Sequence, residues 1–296
     1  MRLRTQEQQQ HVGRPNRRSL LFTWALFLLL CAALNPSVIL AETPTATPAA
    51  DSSPSKYQSD YNTIKALGKD LYEALKPNYR EQVSPNPIWF IDDPRPYVRP
   101  FVFENDNNPL HIVYVSKGFI QLVNSIAHAK AIDKIEPGFF NKYIQTLAQE
   151  TSGQVVPELP KISDPRYWTD DVLNEQLSSF NQIVGSVAAI NLAHHYLGHQ
   201  DAYGELLHDS VTSPVTMATS CSQGEWDQAF KEGAGNSLDC GFGFEGLKAF
   251  YDCIVAMEKR PSWTLYFLPT KARLDNLAKT KKTLDHIETV FFGKKL

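Results

Sequence analysis

Along this chain the apolar residues alternate between a helical period and a two-residue period, and the order of the changes outlines a fold. Ile64, Leu67, Leu71 and Leu75 recur at three and four, which predicts an amphipathic helix ended by Pro77. Three short apolar runs follow: Ile88–Ile91, closed by Asp92-Asp93-Pro94, then Tyr97–Phe103 and His111–Val115, with the turn-forming Asn105-Asp106-Asn107-Asn108-Pro109 between the last two. These runs predict a small antiparallel sheet. A helical period returns from Phe119 to Ile132, and again at Phe139, Tyr143, Ile144 and Leu147.

The next helical pattern is the longest. Thr169 stands as its N-cap, and Leu173, Leu177, Phe180, Val184 and Val187 set one apolar face leading to Ile190 and His194. No charged residue lies between Ile183 and Ala193, so this part reads as buried on all sides. Ser222-Gln223-Gly224-Glu225 has the form of a capping box and predicts a helix through Trp226 and Phe230 to about Glu232. Beyond it Gly233, Gly235, Gly241 and Gly243 suggest a bend or a close backbone approach. A helix over Leu247–Met257 stops before Pro261, and a basic helix from Lys271 closes the sequence. The expected class is α+β, mainly helical, with one domain over residues 57–296.

The first 41 residues are of another kind. Arg14, Arg17 and Arg18 precede an almost wholly apolar run, Leu20–Leu34, and then Pro36 and Ala41, the layout of an export signal. A spanning helix needs roughly 20 apolar residues, more than this run supplies, so the segment reads as a signal peptide or an N-terminal anchor for membrane association. The expected location is exported, periplasmic or secreted. Residues 42–56, rich in Thr, Pro and Ser, read as a disordered tether. Without residues 1–41 the 29 basic and 32 acidic residues fall to 24 and 31, a net charge of −7, which gives nucleic acid no electrostatic hold. Cys221, Cys240 and Cys253 then remain, and in an oxidising compartment one disulfide with one thiol left over is the simplest count.

Candidate chemistry concentrates at Ala193-His194-His195-Tyr196-Leu197-Gly198-His199. In a zinc-hydrolase helix written H-E-x-x-H, two histidines four apart share one face and bind the metal, and the intervening Glu activates a water. His195 and His199 have that spacing, with Tyr196 where the Glu belongs. The bland alternative is that these histidines are core residues hydrogen-bonded to backbone, and that His111 and His128 are structural or exposed.

In this order the elements between Leu67 and Leu277 resemble the zinc metallopeptidases that include the heat-shock protease HtpX, the CAAX prenyl endopeptidase and the Oma-type proteases. The segments that carry the likeness are Ile88–Pro94, Leu110–Phe119 with its Val115-Ser116-Lys117-Gly118-Phe119 ending, Leu268-Pro269-Thr270-Lys271-Ala272-Arg273-Leu274 and the histidine cluster. Two registers fit the metal helix. In one, His195-Tyr196-Leu197-Gly198-His199 replaces H-E-L-G-H. In the other, Ile190 to His199 matches H-E-I-A-H-x-x-L-G-H, so that Ile190 replaces the first ligand, Asn191 the general base, and His194 is retained. The second aligns more of the helix.

The resemblance implies a gluzincin-like fold, with Glu232 as third zinc ligand and Asn236 where an orienting Asp belongs. It also implies a peptide-binding edge strand formed by Leu110, His111, Ile112, Val113, Tyr114 and Val115. Candidate metal ligands are thus His194, His195, His199 and Glu232, and residues 133–178 read as an insertion. A Tyr with a pKa of about 10 is a poor base at neutral pH and an Asn amide is none, so catalysis is expected to be lost. The expectation is a pseudopeptidase that binds protein or peptide, with zinc optional. The alternatives are an active zinc endopeptidase with an altered His-His-Glu site, and a non-enzymatic envelope structural protein.

Overall fold

A computed structural model describes residues 61–103, 108–149, 156–199, 220–257, 260–268 and 277–295. The expected export segment and tether, most of the Asn105–Pro109 turn and most of the Leu268–Leu274 element lie outside these residues. All of the described residues belong to one unit, Pro54–Leu296. Helix α1 (Tyr61–Ala74) and the single turn α2 (Pro77–Arg80) precede strands β1 (Ile88–Ile91), β2 (Val98–Phe103) and β3 (Leu110–Ser116). Helices α3 (Lys117–Asp133), α4 (Phe139–Gln149), α5 (Asp170–Tyr196), α6 (Gln223–Asp239), α7 (Glu245–Ala256) and α8 (Leu277–Lys295) follow. The class is α+β and mainly helical, and no described helix is long and apolar enough to cross a membrane.

The sheet departs from expectation in two ways. It is mixed, not antiparallel: the strand order is β1-β3-β2, with β1 parallel and β2 antiparallel to β3. Consequently β3 is the middle strand: Leu110–Val115 pair with β2, and Val113–Ser116 also pair with β1. Of the residues expected as a peptide-binding edge, Val113–Val115 are paired on both sides, and beyond them the His111 carbonyl already accepts from Ser84 N at 3.1 Å. Period-two alternation tells which face a residue takes but not which strand lies beside it, so the order was not readable from the pattern.

Ser116 joins the sheet to α3. As N-cap its Oγ accepts from Phe119 N at 3.1 Å and from Tyr97 N at 2.9 Å, and it donates to Arg95 O at 2.6 Å. A side chain at Gly118 would stand 2.0 Å from Pro94 O, so only glycine lets the turn after β1 lie against the start of α3.

Helix α5 runs through the middle, packed on α6, α3, α7, α1 and the β2 and β3 strands. Every residue from Ile183 to Tyr196 is buried, as the charge-free stretch predicts. Its first turns are rotated from the expected face: Leu173 and Leu177 are exposed, while Val172, Gln176 and Ser179 point inward. Thr169 holds the N-cap position without a side-chain hydrogen bond. Helix α6 carries the full capping box, but instead of ending near Glu232 it continues to Asp239. Gly233 explains both the glycine and the continuation: a Cβ there would lie 2.4 Å from Ile190 Cα, so α5 and α6 touch backbone to backbone. No disulfide forms among Cys221, Cys240 and Cys253, contrary to the simplest count; Cys253 is wholly buried in α7 and the Cys240 thiol bonds Asp70 O at 3.5 Å.

Candidate metal centre

The site begins with how α5 ends. Leu197 is the C-cap and Gly198 follows at φ +73°, a left-handed conformation that glycine adopts without strain. Gly198 N donates to His195 O and His199 N to His194 O, both at 3.0 Å, the paired bonds of a Schellman turn. That turn folds His199 back onto the last full turn of the helix, and the Nδ1 atoms of His199 and His194 come within 3.2 Å. Cys221 arrives from the other direction, immediately before the Ser222 N-cap of α6. Trp226, one turn further, sets its ring edge-on to His194 at 4.7 Å between centroids.

His194, His199 and Cys221 thus form a buried group whose ligand atoms all lie within 4.8 Å of one another, an arrangement that could hold a metal ion. Burial, followed by the neighbouring His199 and His195 rings, pushes the His194 pKa well below its ordinary value, so that ring is neutral and has a lone pair to give. The Cys221 thiol bonds Glu225 Oε2 at 3.6 Å, and the same oxygen accepts from Ser222 N at 2.8 Å. Hydrogen bonds from Ser222 keep Glu225 below the usual carboxylate range, with His199 adding to the effect.

His195 does not join this group. One residue along a helix is a rotation of about 100°, which turns it from α6 toward the sheet. There its Nε2 bonds the Ile112 carbonyl at 2.8 Å, so that nitrogen carries the proton and Nδ1 is bare. His111 Nδ1 lies 3.3 Å from that bare nitrogen. Burial drives the His195 pKa down to about 3, despite the opposing pull of the Ile112 bond. The two rings line a second cavity of about 260 Å³ with Glu81 and Asn108.

Glu232 is also elsewhere. On α6 the residues Trp226, Phe230 and Gly233 face α5, whereas Glu232, Gly235, Asn236 and Asp239 form another face that lines a cavity of about 490 Å³. Tyr196 shares that cavity, its ring stacked on Tyr79 at 4.4 Å, and burial with the nearby Glu232 raises its pKa. Asn191 is buried and its Nδ2 donates to Val187 O at 2.8 Å within its own helix. Neither residue at the expected general-base position belongs to the His194, His199 and Cys221 group, and Ile190 backs onto Gly233.

Cys221 was not among the expected ligands, because in an exported chain a cysteine reads first as half of a disulfide. Its position, directly before a capping box and so aimed at the helix start, was the available signal. Trp226 gave no sequence signal for its place over His194. No family model matches this chain, and neither the curated proteins nor the solved structures provide a match.

Proposed function

We propose that this chain is a metallopeptidase-like protein that no longer hydrolyses peptides, and that it binds a protein or peptide while a buried zinc ion holds its core in place. The observation that carries the reading is the separation of parts. The two imidazoles and thiol that could hold a metal lie together. The groups a zinc peptidase would need, Glu232 and a base at Asn191 or Tyr196, are turned into a different cavity or spent on the helix backbone. Zinc suits the donor set, since two imidazoles and a thiolate are its commonest borderline-soft ligands. When bound there it would tie the end of α5 to the start of α6, with Glu225 as the nearby carboxylate.

Burial on every side favours a structural ion over a catalytic one, which keeps an open position for water. In this reading the N-terminal segment directs export, and the metal shields the Cys221 thiol from oxidation. Protein purified without chelators is expected to carry about one zinc per chain, lost in Cys221→Ser, and to leave a pool of random synthetic peptides uncut by mass spectrometry. Metal-dependent cleavage abolished by Glu232→Ala would overturn the proposal, and a metal-free wild-type chain would remove its zinc.

A further inference from the structure

The last turn of α5 sends its two adjacent histidines to different neighbours, His194 to His199 and Cys221, and His195 to His111 on β3. The two imidazole pairs that result have closely similar geometry. Nδ1 faces Nδ1 at 3.2 Å in His194–His199 and at 3.3 Å in His111–His195, and the ring centroids are 5.2 Å apart in both. The rings cross at 64° in the first pair and 80° in the second. Two nitrogens each about 2.0–2.1 Å from one tetrahedral ion stand about 3.3–3.4 Å apart, so the second pair spans an ion as well as the first does.

His195 is prepared as such a ligand. Its Nε2 donates to the Ile112 carbonyl at 2.8 Å, which fixes the ring and turns the Nδ1 lone pair toward His111. A backbone carbonyl on the far nitrogen is the usual outer support of a metal-bound imidazole, and here it comes from the residue next to the partner ligand. A proton on His111 Nδ1 is the other way to fill the gap, but 3.3 Å lies beyond the usual span of about 2.7–3.2 Å from an N–H donor to its acceptor. The surroundings also differ from those of the Cys221 group. His195 is buried, but His111 is only half-buried, and both line the cavity of about 260 Å³ whose rim carries the exposed Glu81, Pro85 and Asn108. Glu81 is the one carboxylate among its described lining residues.

We propose that His111 and His195 bind a divalent first-row transition-metal ion between their Nδ1 atoms, with its remaining positions open to this cavity and to oxygen ligands within it. Two protein imidazoles and open positions make an ion that exchanges readily, so the site fills when metal is supplied and differs in kind from the closed Cys221 centre. The inference goes beyond the peptide-binding reading and does not depend on it.

Equilibrium dialysis of the full-length protein against Co²⁺, with absorption spectra, tests it, because thiolate-bound cobalt gives a near-ultraviolet charge-transfer band and imidazole-bound cobalt does not. Two equivalents are expected, a tighter one with the band and a weaker one without it. His111→Ala is expected to lose the weaker equivalent and keep the band, which also shows that the fold is intact. His111→Gln, whose amide can still meet His195 Nδ1, is expected to lose the same equivalent. A single wild-type equivalent that carries the band, or a second one that survives in either variant, overturns the site and leaves the Cys221 centre standing. One equivalent without the band, lost in His111→Ala, supports the site and removes the Cys221 centre. No bound cobalt at all overturns both.

Discussion

His199 lies 3.2 Å from His194, nitrogen to nitrogen, because Gly198 reverses the chain between them at φ +73°. The candidate ligand pair is thus a product of a helix terminus and not of helical spacing. A Cβ at Gly198 would meet no atom within 4 Å, so Gly198→Ala introduces backbone strain and no clash. It is expected to lower stability by about 1 kcal/mol, as a left-handed residue other than glycine does, and to weaken cobalt binding with all ligands present. Gly198→Asn should recover much of both, because asparagine tolerates that conformation. Cobalt titration and urea denaturation of the two variants check this, and identical behaviour of Ala and Asn would count against it.

Two glycines two residues apart on α6 make a sharper contrast. Gly233→Ala would place a methyl 2.4 Å from Ile190 Cα, and backbone cannot yield as a side chain can. A loss of about 3 kcal/mol, the upper range for overpacking, is expected in urea. Gly235→Ala meets nothing within 4 Å, and alanine's better helix propensity should stabilise the protein by roughly 0.5–1 kcal/mol.

The capping box gives a third expectation. Ser222 Oγ accepts from Glu225 N at 3.3 Å, and Glu225 Oε2 returns a bond to Ser222 N at 2.8 Å while also holding the Cys221 thiol. Ser222→Ala should cost about 1 kcal/mol of stability, and Glu225→Gln should also weaken metal binding, by roughly 10-fold, as loss of an outer contact to a ligand does. A Glu225 variant with unchanged cobalt affinity would separate the cap from the centre.

Much of this arrangement was legible in the residues, and the exceptions have physical causes. Three strands, the buried α5 and the Ser222 cap could be read because each depends on local pattern. The parallel pairing of Ile88 with Val113 could not, since it depends on which strands meet across a long separation. Within the histidine cluster, the familiar spacing pairs His195 with His199, whereas the structure brings His194 and His199 together. His195 and His199 have the familiar spacing, yet the rotation of the helix sends His195 to Ile112 while the Schellman turn returns His199 to His194. Glu232 was expected beside them because the family resemblance makes it a third ligand, but it lies on a different face of α6 from Trp226 and Gly233. Leu173 and Leu177 misplaced the early face of α5 because apolar spacing alone does not count the buried Gln176 and Ser179.

His128 supplies a pH-dependent expectation away from the candidate metal centre. Its Nε2 bonds Tyr167 O at 2.7 Å and its ring meets Trp168, and burial lowers its pKa although the Tyr167 bond opposes this. In the unfolded chain the ring titrates near 6.5, so below about pH 6.5 the unfolded state binds more protons and stability falls. Its contribution is fully present above that pH and is lost as the pH drops toward the lowered folded value. His128→Gln should flatten the decline in denaturation midpoint between about pH 6.5 and 5 relative to wild type, and parallel curves would refute the assignment.

The position of β3 between β1 and β2 also bears on how the chain assembles. The two strands made first do not pair with each other in the folded sheet, and both find their partner in residues 110–116. β2 and β3 are neighbours in the chain and pair antiparallel, whereas β1 joins β3 in parallel across the intervening β2, a non-local step of the kind that slows folding and leaves an edge exposed meanwhile. Ser116, which bonds Tyr97 and Arg95 from the end of β3, is placed to latch the β1–β2 connection to the middle strand and so to hold β1 where it docks.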